Sequence, residues 1–305
     1  MRSIMPETLL KGIIPAVVTP FGEDESIDYA VWQTLIDSLI ASGVHGLLVV
    51  GGQGEFFALT EEEREVAVRF CVQAVAGRVP VCANVGAVST RQTVRLAQKA
   101  EEDGVDYLVA ISPYYLKPSA DELVAHYVEV CRSVHAPVLA YNVPERTGVE
   151  LTPPILKRIK GQCENFVGLK DSSGKIEEIP EYTAAGLSVF IGRDHMILDG
   201  LKAGCAGAVS ACSNVCPRAF VDLYDAFQAG DLEKAARLQA LVEPLRRTFS
   251  MATFPSVVKE AMNMSGVAAG ACRRPVGPFP VEARGKLAEA IQSLRAEGYL
   301  PAAGG

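Results

Sequence analysis

Several kinds of signal are missing from this sequence, and each absence removes a class of function. No run of lysine and arginine appears, and 29 basic against 36 acidic residues leave a net charge of −7. A chain without a basic stripe has nothing to track a phosphate backbone, so nucleic acid is not an expected partner. No apolar stretch reaches the ~18 residues that a membrane span needs. The opening MRSIMPETLLKGIIPAV likewise lacks the uninterrupted apolar segment of a secretory leader. A soluble, cytoplasmic protein with no membrane partner is therefore expected. The eight cysteines, at 71, 82, 131, 163, 205, 212, 216 and 272, never form a C-x-x-C pair. They are read as small buried apolar side chains rather than as disulfides or a zinc site. Histidine is scarce: His45, His126, His135 and His195 show no H-x-H or H-x-x-x-H spacing. A metal-dependent aldolase would lack its ligands, and no metal is expected.

What is present is core. Of 305 residues, 49% are hydrophobic and 21% charged, enough for one large domain and a small appendage. Eight apolar, β-rich runs recur: 12–21, 46–52, 79–86, 106–113, 137–144, 166–173, 188–193 and 207–214. Because they are nearly continuous rather than alternating, they read as strands covered on both faces. Helical patterns lie between them, at 31–41, 61–76, 90–103, 120–134, 153–159, 176–185, 195–203 and 217–228. Thr60 followed by Glu61, Glu62 and Glu63 is a capping-box signature for the second. Eight strand–helix units in series argue for an α/β fold closed as a (β/α)8 TIM barrel rather than an open sheet. The strand signal stops after Gly230, and 231–250, 255–265 and 281–297 read as helices. The expected division is thus a barrel over 1–230 carrying the active site and a helical C-terminal domain over 231–305.

In such a barrel the βα loops at the C-terminal strand ends build the site. The residues there are Thr19, the GGQGE loop at 51–55, Tyr114 and Tyr115, Tyr141 with Arg146, Lys170 with Asp171, residues 192–194, and Ser210. Lys170 closes the run Phe166-Val167-Gly168-Leu169. It is either a solvated rim charge or an amine facing the barrel mouth with little water around it. In the second case desolvation lowers its pKa, and the neutral amine can attack a carbonyl carbon to form a Schiff base. That step moves protons, and the Tyr141 phenol at the end of the preceding strand could carry them; otherwise it is a core tyrosine. The GGQGE loop could present backbone N–H groups to a carboxylate or be a plain tight turn. It is no nucleotide loop, having neither a third glycine nor a following G-K-[ST]. Arg146 could bind a carboxylate or simply be solvated.

Together these residues resemble the dihydrodipicolinate synthase and N-acetylneuraminate lyase family of class I aldolases. The likeness runs in order over roughly residues 10–295: GIIPAVVTPF, GGQGE, SPYY, YNVPERTG, GLKDSSG, GRD and GAVSACSN. It implies a TIM barrel with a helical C-terminal domain, a homotetramer built as a dimer of dimers, and no metal or organic cofactor. By resemblance Lys170 is the Schiff-base lysine and Tyr141 the tyrosine that exchanges protons with the imine. Gly52 and Gln53 match the amides that hold the 2-oxo acid carboxylate. Tyr115 matches the tyrosine lent across the dimer interface, and Arg146 the arginine that holds the aldehyde's carboxylate. The expected catalytic set is Lys170, Tyr141 and Tyr115; the expected substrate contacts are Gly52, Gln53, Arg146 and Ser210.

The departures from the family pattern matter too. Gly52 stands where the synthases carry a threonine whose hydroxyl links two tyrosines, and Gln53 replaces a smaller polar residue. Leu116, Phe56 and Val88 replace polar residues, so lysine feedback is not expected. The activity expected is a Schiff-base lyase acting on pyruvate or a longer 2-oxo acid, with 4-hydroxy-tetrahydrodipicolinate synthase the nearest named one. A 2-keto-3-deoxy sugar acid aldolase or dehydratase is the alternative, and a non-catalytic 2-oxo acid binder is the rival from another class.

Overall fold

A computed structural model describes residues 10–301. Residues 1–9, which begin the stretch read for a leader, and 302–305, the tail of the C-terminal segment, lie outside the described residues. Eight strands fall inside the eight apolar runs: β1 Gly12–Pro15, β2 Leu47–Val49, β3 Val81–Asn84, β4 Tyr107–Ile111, β5 Val138–Asn142, β6 Phe166–Asp171, β7 Ser188–Ile191 and β8 Gly207–Ser210. All pair in parallel, in the order β1-β8-β7-β6-β5-β4-β3-β2. The ring is completed between β1 and β2 by a single bridge at Ala16 and Leu48, where Val17 N–H donates to Leu48 O at 2.9 Å. The chain thus forms a TIM barrel with helices between its strands.

The helices start where local chemistry tells them to. Thr60 Oγ1 accepts from Glu63 N at 3.1 Å while Glu63 Oε2 accepts from Thr60 N at 2.9 Å, so helix Glu61–Val75 opens on the expected capping box. The patterns at 176 and 195 open as tight 3-10 turns, Ile176–Glu178 and Asp194–Met196, before becoming α-helical. A one-turn helix, Pro144–Thr147, follows β5. Beyond the barrel run helices Leu232–Arg247, Ser256–Met264 and Arg284–Ala296, the first packed on Pro217–Gln228. Among the described residues no helix is long and apolar enough to cross a membrane.

Two apolar clusters show which way the strands face. The larger joins strands to helices; a separate one, including Ile14, Leu48, Cys82, Val109, Leu139 and Phe190, fills the ring. On β6 the alternation slips. Val138 pairs with Phe166 but Leu139 pairs with Gly168, so Val167 is an extra residue, a β-bulge. Phe166 and Leu169, three apart, therefore both pack on the helix side, while Val167 lies in the interior cluster. Strict alternation from Phe166 would turn Lys170 toward the helices; the bulge turns it into the barrel. Gly168 allows this close pairing, because a Cβ there would stand 2.1 Å from Ser188 O.

Candidate active site

Lys170 and Tyr141 are direct register partners on β6 and β5, so their side chains leave the sheet on the same side. Lys170 is only 6% exposed, and its Nζ lies 4.1 Å from the centroid of the Tyr141 ring. No carboxylate pairs with that amine among the described residues. On its other side stands Gly192, where a Cβ would meet Ser172 Oγ at 2.1 Å and Lys170 Cε at 3.3 Å. Only a glycine leaves room there for the lysine stem.

Asp171, the next residue, points the opposite way and is fully buried. It accepts from Asn142 Nδ2 and from Ser173 Oγ, each at 2.8 Å. Burial raises its pKa above the ordinary carboxylate range, and these two hydrogen bonds oppose the rise. The effect is to pin the ends of β5 and β6 together directly behind the amine.

The GGQGE loop is bracketed by two residues in left-handed backbone: Val50 at φ 51° and Glu55 at φ 56°. A β-branched residue there is strained, and such strain gathers where a loop's shape serves a site. Gly54 closes the turn, since a Cβ on it would lie 3.1 Å from Val17 O and 3.2 Å from Gly51 N. Thr19 Oγ1 donates to Gly54 O at 2.8 Å. The N–H groups of Gly52 and Gln53 donate to no protein acceptor among the described residues, which leaves them open to an anion.

What holds the loop is an ion pair that sequence reading did not find. Lys259 Nζ lies 2.7 Å from Glu55 Oε1, with both side chains almost wholly buried. Glu55 Oε2 accepts from Arg273 N at 3.0 Å, and Lys259 donates to Ala271 O at 2.8 Å. Burial lowers the pKa of Lys259, and the Glu55 charge opposes this.

Gly52, Gln53, Tyr141, Arg146 and Lys170 line one cavity of about 100 Å³ at the C-terminal ends of the strands. Glu145 and Arg193 stand at its rim, paired at 2.5 Å, and Arg193 also donates to Ser172 O and Ser173 O. Two of the expected residues do not line this cavity. Tyr115 is 98% exposed at φ 77°, away from the cavity of its own chain. The Ser210 hydroxyl donates to Asp194, and its neighbours Val209 and Ala211 line the cavity instead. Arg246, Phe249 and Phe254, from beyond the barrel, also line it. No local motif marks them, because their place depends on how the helix Leu232–Arg247 packs. Among the described residues no group of three or more metal-ligating side chains converges.

Known proteins share this fold and a third or so of this sequence. The model of the dihydrodipicolinate synthetase family matches residues 9–294. The 4-hydroxy-tetrahydrodipicolinate synthase of Methanoculleus marisnigri is 39% identical over 274 residues, covering 88% of this chain and 94% of the relative. The structure of dihydrodipicolinate synthase from Acinetobacter baumannii complexed with pyruvate is similar at a TM-score of 0.90 and 28% identity, over 93% of this chain and 99% of that one. YagE from Escherichia coli K12, a prophage protein of the dihydrodipicolinic acid synthase family in complex with pyruvate, gives a TM-score of 0.90 at 33% identity, over 96% and 100%.

Proposed function

The chain belongs to the dihydrodipicolinate synthetase family, and from that premise we propose that it is a lysine-dependent lyase that makes or breaks a carbon–carbon bond at C3 of pyruvate, the carbon next to the carbonyl, with 4-hydroxy-tetrahydrodipicolinate synthase as the nearest named activity. The observation that carries this reading is a buried amine, without a carboxylate partner, 4.1 Å from a tyrosine ring at the barrel mouth. The Lys170 amine attacks C2 of pyruvate, water leaves, and a protonated imine forms. The imine draws electrons from C3, which loses a proton and becomes a nucleophilic enamine carbon. That carbon adds to an aldehyde; in reverse, the bond breaks and the aldehyde departs. Hydrolysis then frees Lys170. Tyr141 carries the protons of these steps, while the open amides of Gly52 and Gln53 hold the carboxylate of pyruvate.

Tyr115 completes a neighbouring copy's site across a dimer interface, and the dimers pair into a tetramer. Its near-total exposure in a left-handed conformation supports this reading, since neither is expected of a tyrosine serving its own chain. The eight free thiols fit a cytoplasmic location.

The test is borohydride reduction of the full-length protein in the presence of pyruvate, followed by intact mass and peptide mapping. One reduced pyruvate on Lys170, absent from Lys170→Ala, is expected. Absence of any adduct would sink the catalytic reading and favour a binder. Aspartate semialdehyde and 2-keto-3-deoxygluconate, supplied in parallel, separate synthase from sugar-acid aldolase.

A further inference from the structure

In a closed eight-stranded ring each layer of inward side chains comes from alternate strands, and the stagger advances by about one residue per strand. Followed from Ala16, which bridges Leu48, the pairing runs from Val49 to Ala83, from Asn84 to Val109, from Ala110 to Ala140, from Tyr141 to Lys170 and from Asp171 to Ile191. Ala16, Asn84, Tyr141 and Gly192 therefore share one layer, with Asn84 across the ring from Gly192. Ala16, Tyr141 and Gly192 line the cavity beside Lys170. Asn84 is the remaining member of that layer.

Its side chain turns inward, because Cys82, two residues before, lies in the interior cluster while Ala83 and Val85 pack on the helices. Its backbone oxygen is held from behind, accepting from Arg64 Nη2 at 3.0 Å. Asn84 is 3% exposed, yet neither its side-chain oxygen nor its side-chain nitrogen meets a partner among the described residues. Buried amides are almost always paired, so one with both atoms open needs a reason. Ala16 and Gly192 are small and leave room at this level; Asn84 and Tyr141 are the larger side chains that face it. A carboxylate would call for donors alone. A free donor and a free acceptor on one group suit a molecule that both accepts and donates, a hydroxyl or water.

We propose that Asn84 is a further catalytic residue, which binds the C2 hydroxyl of the adduct that precedes the imine and holds it as the water that leaves. The proposal rests on the lysine-dependent reading above and concerns its first and last steps. Addition of the Lys170 amine to C2 of pyruvate turns the carbonyl oxygen into a hydroxyl. That hydroxyl takes a proton from Tyr141, the C2–O bond breaks, and the nitrogen lone pair makes the C=N bond; the phenolate left behind then takes the C3 proton. Asn84 Nδ2 donates to the departing oxygen, and Oδ1 accepts from its O–H. In hydrolysis water bound in the same way adds back to C2 and the C–N bond breaks, so nothing is oxidised or reduced.

The experiment uses the full chain and pyruvate. Rapid-quench borohydride trapping reads how fast the imine forms, and the deuterium content of pyruvate returned to deuterated water at low conversion reads how long it lasts. Asn84→Leu keeps the size of the side chain and removes both polar atoms. Trapping is expected to slow roughly ten- to hundredfold, as loss of a buried hydrogen-bonding partner implies. Because hydrolysis slows as well while exchange at C3 does not, each returned pyruvate should carry more deuterium than from the wild type. Asn84→Ser, which restores a hydroxyl at that place, should lie between the two in both readings, and it decides by the same criteria if the leucine variant does not fold. Trapping at the wild-type rate, or deuterium content that does not rise, overturns the proposal; a general distortion of the site would slow exchange at C3 too and leave that content unraised. If the wild type itself traps no pyruvate, the lysine-dependent reading fails and this proposal with it, whereas a wild type that traps and variants that match it strike down the proposal alone.

Discussion

The guanidinium of Arg146 sits 3.9 Å over the ring of Phe254, and the Cζ edge of the same ring is what a Cβ on Gly52 would meet at 3.3 Å. One aromatic side chain therefore seats the arginine and fills the room that a side chain at position 52 would need. Phe254→Ala should raise the KM of an anionic aldehyde roughly 2- to 30-fold by removing a contact worth about 0.5–2 kcal/mol. Gly52→Thr should slow turnover by itself and be better tolerated in the Phe254→Ala background. Steady-state kinetics on the four proteins checks this; equal effects of Gly52→Thr in both backgrounds would contradict it.

Tyr141→Phe keeps the ring under the Lys170 amine and removes only the hydroxyl. Proton transfer should slow by roughly 10²–10⁴, with little change in unfolding free energy. Exchange of the C3 protons of pyruvate with deuterated water, followed by NMR, isolates the step. Exchange at the wild-type rate would show that another group carries the proton.

Glu55→Gln leaves the Lys259 charge buried without its partner, which should cost about 3–5 kcal/mol of stability. Replacing both, as Glu55→Gln with Lys259→Met, should recover most of that loss, because the uncompensated charge goes with the lysine. Urea unfolding measures it. If the double variant were as unstable as the single, the pair would not be acting as a compensated charge.

His126 is buried, with Nδ1 2.9 Å from Thr90 Oγ1 and no partner at Nε2. Burial lowers its pKa to about 4. An unfolded histidine binds its proton near pH 6.5, so between these values the unfolded chain holds more protons and stability falls as pH falls. The contribution is complete above about pH 6.5 and declines by about 3 kcal/mol toward pH 4. His126→Leu should flatten this arm of the Tm–pH curve, as calorimetry from pH 7 to 4.5 would reveal. A parallel curve would assign the acid loss to other groups.

Eight nearly continuous apolar runs, each followed by a capped or periodic helix, are local facts of composition and spacing. They sufficed to read eight βα units, their order and the rim on which chemistry gathers, and they marked Lys170, Tyr141, Arg146 and the GGQGE loop as candidates. Which of those side chains meet was decided by contacts distant in sequence. The extra residue Val167 exists only as a register between β5 and β6, yet it turns Lys170 from the helices into the barrel. Ser210 sat at a promising strand end, but Asp194 takes its hydroxyl. The distal wall of Arg246, Phe249 and Phe254 came from a segment with no motif at all. Periodicity reports what a residue's own strand or helix needs; a pocket is made where several such elements pack, and packing is not written in any one of them.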